Sequence, residues 1–183
     1  MTKPSIEQMT DTILSVYETA TPEQTNEGNG WYRYAQAFAT ANAHQYGYTV
    51  PHVATALAHL SPRVHWSRNK RMLSELLETG DTVGLRGAID RAKNALASSK
   101  PLDTLKGPKT RSFAYNILGD YEKVTVDVHA AKAAMPGVDI SNGFSLGTYR
   151  DIATAYSRVA EKVGNTPAQT QAIVWCIQRG KAQ

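Results

Sequence analysis

Residues 105–133 read LKGPKTRSFAYNILGDYEKVTVDVHAAKA. The stretch predicts a tight turn, a helix, a polar break, a short extended run and a second helix. Lys109 opens the first helix and Asp127 opens the second, 18 positions later. A helix of about ten residues advances about 15 Å. A return of six or seven extended residues, at about 3.3 Å each, nearly cancels that advance. An amine and a carboxylate distant in sequence can therefore be brought face to face.

The chain on either side predicts helices. Ser5 with Gln8 makes a capping box for a helix to about residue 20. Thr21-Pro22 and the polar run 26–30 predict a mobile loop. A helix rich in alanine and aromatic residues (Trp31, Tyr32, Tyr34, Phe38) then runs to about residue 45, and reads more readily as core than as a base-stacking platform. Further helices are expected from Val50-Pro51, from Trp66 to Glu78, and from Asp81 or Thr82 to about Ser98. The last two run from Thr148 to Val163 and, behind the cap Thr166-Pro167-Ala168-Gln169, to about Arg179. Only Val124-Thr125-Val126 reads as strand-like, too little for a sheet. The expectation is an all-α fold of eight or nine helices. It forms one domain, or two small lobes around a cleft, with residues 1–28 as a helix and mobile loop ahead of a core over 30–180.

Composition narrows the class. The chain has 183 residues, 42% of them apolar and 20% charged, which suits a soluble globular protein. There is no run of 18 apolar residues and no apolar signal core at the N-terminus, so an intracellular location without a membrane span is expected. The single cysteine, Cys176, excludes an internal disulfide and a cysteine-ligated cluster. His52, His59 and His65 have loose spacing and no accompanying carboxylate or cysteine set, so neither metal nor cofactor is expected. The net charge of +4 conceals an asymmetry. Residues 1–60 carry −3, residues 61–111 carry +6 and residues 112–183 carry +1. A concentrated basic segment suits a polyanion, although it can equally be a solvated helix face.

The central stretch resembles the helix-hairpin-helix DNA glycosylase superfamily, to which endonuclease III belongs. That family shows L-P-G-V-G-x-K-T-A, a helix, then V-D-T-H opening another. Leu105, Gly107, Lys109-Thr110, Gly119 and Val126-Asp127-Val128-His129 stand at the matching places, with the lysine-to-aspartate separation of the lysine-bearing members. Upstream, residues 56–63, ALAHLSPR, followed by a helix, look like the family's L-S-x-Q-T segment beside the flipped base. The likeness covers residues 30–180, of which about 30 are specific. Three departures stand out. The hairpin is two residues shorter, the glutamine is replaced by a neighbourhood of Arg63 and His65, and the iron–sulfur cysteines are missing.

The resemblance implies a DNA-acting N-glycosylase or lyase that flips a normal, damaged or modified base, with DNA as partner; the sequence leaves the oligomeric state open, with a monomer favoured. A non-catalytic DNA-binding module on the same scaffold is the alternative. Some relatives of this fold, especially in phages with unusual bases, are thought to act on modified bases, and the shortened hairpin and missing glutamine make that target attractive. Lys109 is the implied nucleophile, its amine kept neutral by burial and by Lys106 and Arg111. A phosphate contact and a bystander at a helix start remain open for it. Asp127 is the implied carboxylate that stabilises a cationic sugar, and it also suits a helix N-cap. Gly107, Thr110, Arg111, Lys106, Arg63, Arg68 and His129 are the candidate DNA contacts, although Pro108 removes one backbone donor. Ser61, His65 and Trp66 are the candidate base-pocket residues.

Overall fold

The computed structural model describes residues 3–180, and among these the chain is all-α, with nine α-helices, one 3-10 turn and no strand. The helices are α1 (Ile6–Tyr17), α2 (Pro22–Tyr46), α3 (Val50–Leu60), α4 (Trp66–Thr79), α5 (Arg86–Ala97), α6 (Pro108–Ile117), α7 (Val128–Ala134), α8 (Leu146–Val163) and α9 (Pro167–Gly180). The 3-10 turn, Pro101–Thr104, lies between α5 and α6.

The chain divides into two compact units. Unit 1 combines the residues up to Tyr32 with those from Asp120 onward, and unit 2 is the continuous stretch Arg33–Gly119. The N-terminal helix thus belongs with the C-terminal helices, not ahead of a separate core.

In unit 1, Ser5 and Gln8 form the expected capping box, and α1 packs against α7, α8 and α9. Met9 and Ile13 of α1 join Val124, Val126, Ile152, Tyr156, Val159 and Val174 in one buried cluster. Asn165 donates from Nδ2 to the Tyr17 hydroxyl at 2.8 Å.

The expected loop over 21–30 is instead the start of α2. Thr21 accepts from the Gln24 amide and Gln24 accepts from the Thr21 amide, a second reciprocal cap. The polar run 26–30 stays helical because it is clamped against α9. Arg179 pairs with Glu27 at 2.8 Å, and the rings of Trp31 and Trp175 meet edge to face at 5.7 Å. Gly28 is what lets the helices close. A Cβ there would lie 2.5–2.7 Å from the side chain and backbone of Ile173. Packing overrides the weak helix propensity of Asn and Gly.

In unit 2, α3 is buried on every side from Val53 to Leu60, and α4, α5, α6 and the 3-10 turn surround it. A helix apolar all round belongs at the centre of its unit. Gly80 ends α4 in the left-handed conformation, at φ +80°. The next helix begins at Arg86, later than the expected Asp81 or Thr82. Asp81 pairs with Arg86 and Lys93, and Thr82 donates to Glu75, so both side chains are engaged in tertiary contacts rather than in capping.

Replacing Gly28 by alanine should cost about 2 kcal/mol or more, since overpacking against backbone cannot be relieved by a rotamer change. Gly87→Ala is the control. There a Cβ meets only the far end of Arg91, at 3.4 Å. Chemical denaturation should separate the two variants, and equal stabilities would contradict the close crossing of α2 and α9.

Candidate functional site

The hairpin ahead of α6 is fastened from α3. His59 is buried, at 4% exposure, and its Nε2 lies 2.9 Å from Thr104 Oγ1. Thr104 already donates its proton to the Pro101 carbonyl at 2.7 Å. His59 Nε2 must therefore carry the hydrogen of this bond. Burial, and secondly the charge of Arg91, push the imidazole down to about 4, so it is neutral at physiological pH. Leu105 is buried behind the turn, and Lys106 folds back to donate from Nζ to the Asp103 carbonyl at 3.0 Å.

Gly107 is the N-cap of α6 with an ordinary extended backbone, at φ −85°. No residue from Pro101 to Gly107 has a positive φ. Pro108 occupies the first helical position, Thr110 Oγ1 donates to the Gly107 carbonyl at 3.1 Å, and Arg111 is exposed. Lys109 is half-buried in the first turn of α6. Phe113 lies one turn further on the same face. Its ring meets Trp66 edge to face at 6.4 Å, and Trp66 meets Phe38 at 6.1 Å. The Lys70 ammonium sits over both Phe38 and Trp66, at 5.7 and 5.8 Å. The face of α6 that carries Lys109 is thus the face that packs toward the start of α4.

Other predicted residues have more local duties. Ser61 donates to the Ala58 carbonyl at 2.9 Å and helps finish α3, which places its hydroxyl on backbone rather than toward a ligand. His65 is exposed at the N-cap position of α4 without a capping hydrogen bond. Arg63 is exposed and holds φ +60°, the only non-glycine residue described with a positive φ. The Val64 amide bonds the Ser61 carbonyl, so Arg63 stands at the third position of a turn that favours glycine or asparagine. Arg63, Arg68 and Arg111 form no ion pair with any described residue.

Asp127 lies in unit 1, whereas Lys109 lies in unit 2. Asp127 caps α7, accepting from the Ala130 amide at 2.8 Å, and is half-buried. Three tyrosines that sequence reading did not assign to this place surround it. Tyr149 donates its hydroxyl to the Val124 carbonyl at 2.8 Å and accepts from the Val126 amide at 3.3 Å. Tyr156 donates to the Ala130 carbonyl at 3.3 Å, and Tyr32 donates to Gln171 at 2.9 Å. Burial, reinforced by the negative charge of Asp127, keeps the phenols of Tyr32 and Tyr156 protonated well above their ordinary range. His129 is half-buried and makes no hydrogen bond to Asp127 or to any other described residue. The signal for Tyr149 and Tyr156 lay in the apolar stripe of α8, and that for Tyr32 in α2, where an inward tyrosine reads as core until its hydroxyl partner is seen.

Among the described residues, no three His, Cys, Asp or Glu side chains converge to hold a metal ion, and no helix is long and apolar enough to cross a membrane. Unit 2 thus holds a basic helix start with Lys109, and unit 1 separately holds the anchored Asp127 carboxylate. The chain belongs to a protein family of unknown function (DUF7178), whose profile matches residues 1–182. No curated protein and no solved structure matches it.

The unfolded chain protonates His59 near 6.5, but the folded chain does so only near 4. Between those values the unfolded state binds more protons, so this group's contribution is present above about pH 6.5 and is lost as pH falls toward 4. The stability difference between the native chain and His59→Gln, which keeps a donor for Thr104, should shrink by about 2 kcal/mol over that interval. Denaturation curves measured from pH 7 to 4 test this, and parallel profiles would refute it.

Proposed function

We propose that the chain is a DNA-acting protein of the N-glycosylase or lyase type, with Lys109 as nucleophile and Asp127 as the accompanying carboxylate. The observation that carries this reading is the charge of the unit that holds Lys109. Unit 2 contains 12 lysines and arginines against 5 acids, whereas unit 1 contains 8 against 11. Within unit 2 the acids Asp81 and Asp90 are engaged with Arg86 and Lys93 at the start of α5. Arg63, Arg68, Arg71 and Arg111, near the starts of α4 and α6, are left without a carboxylate partner among the described residues. Unneutralised cations in the unit that holds a half-buried lysine suit a phosphate backbone.

In this reading the neutral Lys109 amine attacks the anomeric carbon of a flipped nucleotide. The new nitrogen–carbon bond forms as the bond to the base breaks, and the base leaves with the electron pair and takes up a proton. Transfer of the amine proton to the ring oxygen opens the sugar and leaves a Schiff base. Asp127 stabilises the positive charge that develops on the sugar. The target is a normal, damaged or modified base. A non-catalytic DNA-binding module with the same cations is the second reading, favoured by the use of the Asp127 carboxylate as a helix cap.

Borohydride trapping of the full chain on single- and double-stranded DNA containing abasic sites or altered bases distinguishes the two. The enzyme reading expects a covalent adduct, abolished in Lys109→Gln and slowed about 100-fold in Asp127→Asn, which keeps a capping oxygen. Salt-dependent binding with no adduct on any DNA would establish the module instead. A second test uses the strained turn. Arg63→Gly should raise stability by up to about 1 kcal/mol by relieving the positive φ. It should also lower the salt dependence of DNA binding by about one phosphate contact. Unchanged binding would remove Arg63 from the interface.

A further inference from the structure

The aromatic residues of α2 serve opposite ends. Tyr32 is buried in unit 1, whereas Tyr34, in unit 2, is 74% exposed and its phenol makes no hydrogen bond to any described residue. Phe38 lies one turn beyond Tyr34 on the same helix face. Ala37 and Ala41 beside them are exposed, so small side chains leave the Tyr34 ring open. Phe38 leads directly to Trp66 and to the Lys70 ammonium above both rings. From Arg33 to Ser74 the chain contains no aspartate or glutamate, and it contains Arg33, Arg63, Arg68, Lys70 and Arg71. Arg33, Arg68 and Arg71 are exposed.

We infer that the Tyr34–Phe38 face of α2, continued by Trp66 and Lys70 of α4, is a stacking surface for an unpaired stretch of DNA. The inference rests on the DNA reading above and specifies its substrate as DNA with a single-stranded segment. A lone exposed tyrosine is ordinary. An exposed ring on an aromatic stripe, within a stretch free of carboxylates and supplied with cations, has the two parts that single-strand binders combine. Rings stack on bases whatever their identity, and cations follow the backbone. An intact duplex buries its base faces and offers nothing to the ring. A protein partner would match the alanines and rings, but it would gain nothing from the absence of acids.

The experiment measures binding of the full chain to an unpaired oligothymidine and to a blunt duplex of equal length, over a series of salt concentrations. The native chain is expected to prefer the single strand. Tyr34→Ala should lose at least about tenfold of single-strand affinity. Its duplex affinity and melting temperature should stay at native values, because the ring is exposed, and Tyr34→Trp should restore binding. Native single-strand affinity in Tyr34→Ala, or a preference for the duplex, would overturn the stacking surface and leave the borohydride result untouched. Failure to bind either DNA at low salt would overturn the function proposal together with this one.

Discussion

A helix buried on every side cannot hand its polar groups to water, and in unit 2 that constraint falls on α3. The last carbonyls of any helix lack partners within it. Here Asn69 of α4 donates to the Leu57 carbonyl at 3.2 Å, and Ser61 donates to the Ala58 carbonyl. His59, buried within α3, finds Thr104 in the 3-10 turn. An unmatched buried polar group costs about 1–3 kcal/mol, so each bond fixes the element that supplies it. The hairpin before α6 is therefore placed by the polar requirement of α3 as much as by apolar packing. The first turn of α6, with Lys109, inherits that placement.

Unit 1 solves a related problem differently. Val124, Thr125 and Val126 are buried and lie outside any helix, and no strand pairs with them among the described residues. Buried backbone must still find donors and acceptors. A single phenol supplies both, because the Tyr149 hydroxyl donates to one residue of the run and accepts from another. Tyr156 then takes the Ala130 carbonyl in the first turn of α7. Asp127 sits between these two anchors. Its carboxylate is oriented by the Ala130 amide and by a backbone that the tyrosines hold.

Local chemistry was legible in the sequence wherever a signal and its partner lay within one helical turn. The Ser5–Gln8 box, the Thr166–Gln169 cap and the Asp127 N-cap all formed as their spacing predicts. The start of α2 carries the same Thr-Pro-x-Gln pattern as the start of α9, but the polar run after it suggested a loop. Only the long-range approach of Ile173 to Gly28 explains why the helix continues there. Asp81 was misleading for the mirror reason: a good capping residue was claimed by Arg86 and Lys93. The strain at Arg63 could not be foreseen, since Pro62 at the second position of a turn leaves the third open to many residues. Lys109 and Asp127 were visible as residue types at a spacing, and the fold assigns them to different units. The phenols around Asp127 and the Phe113–Trp66–Phe38 contacts come from segments too distant for any local pattern.

The division of charge has a physical consequence of its own. Cut by position along the chain, Arg33 belongs to an acidic N-terminal third. Cut by compact unit, it joins a formal +7, while the rest of the chain holds −3. A unit of this size with that excess repels itself, which disfavours its compact state. Its ion pairs at Asp81 and Asp90 relieve the start of α5, not the arginines near the starts of α4 and α6. The positive φ of Arg63 adds strain in the same region, where glycine would impose none. Two separate destabilising features thus fall within one cationic unit. Under the proposed DNA reading, an anion long enough to neutralise several cations at once offsets the charge repulsion as a small counter-ion does not, whereas the φ strain at Arg63 is a separate cost.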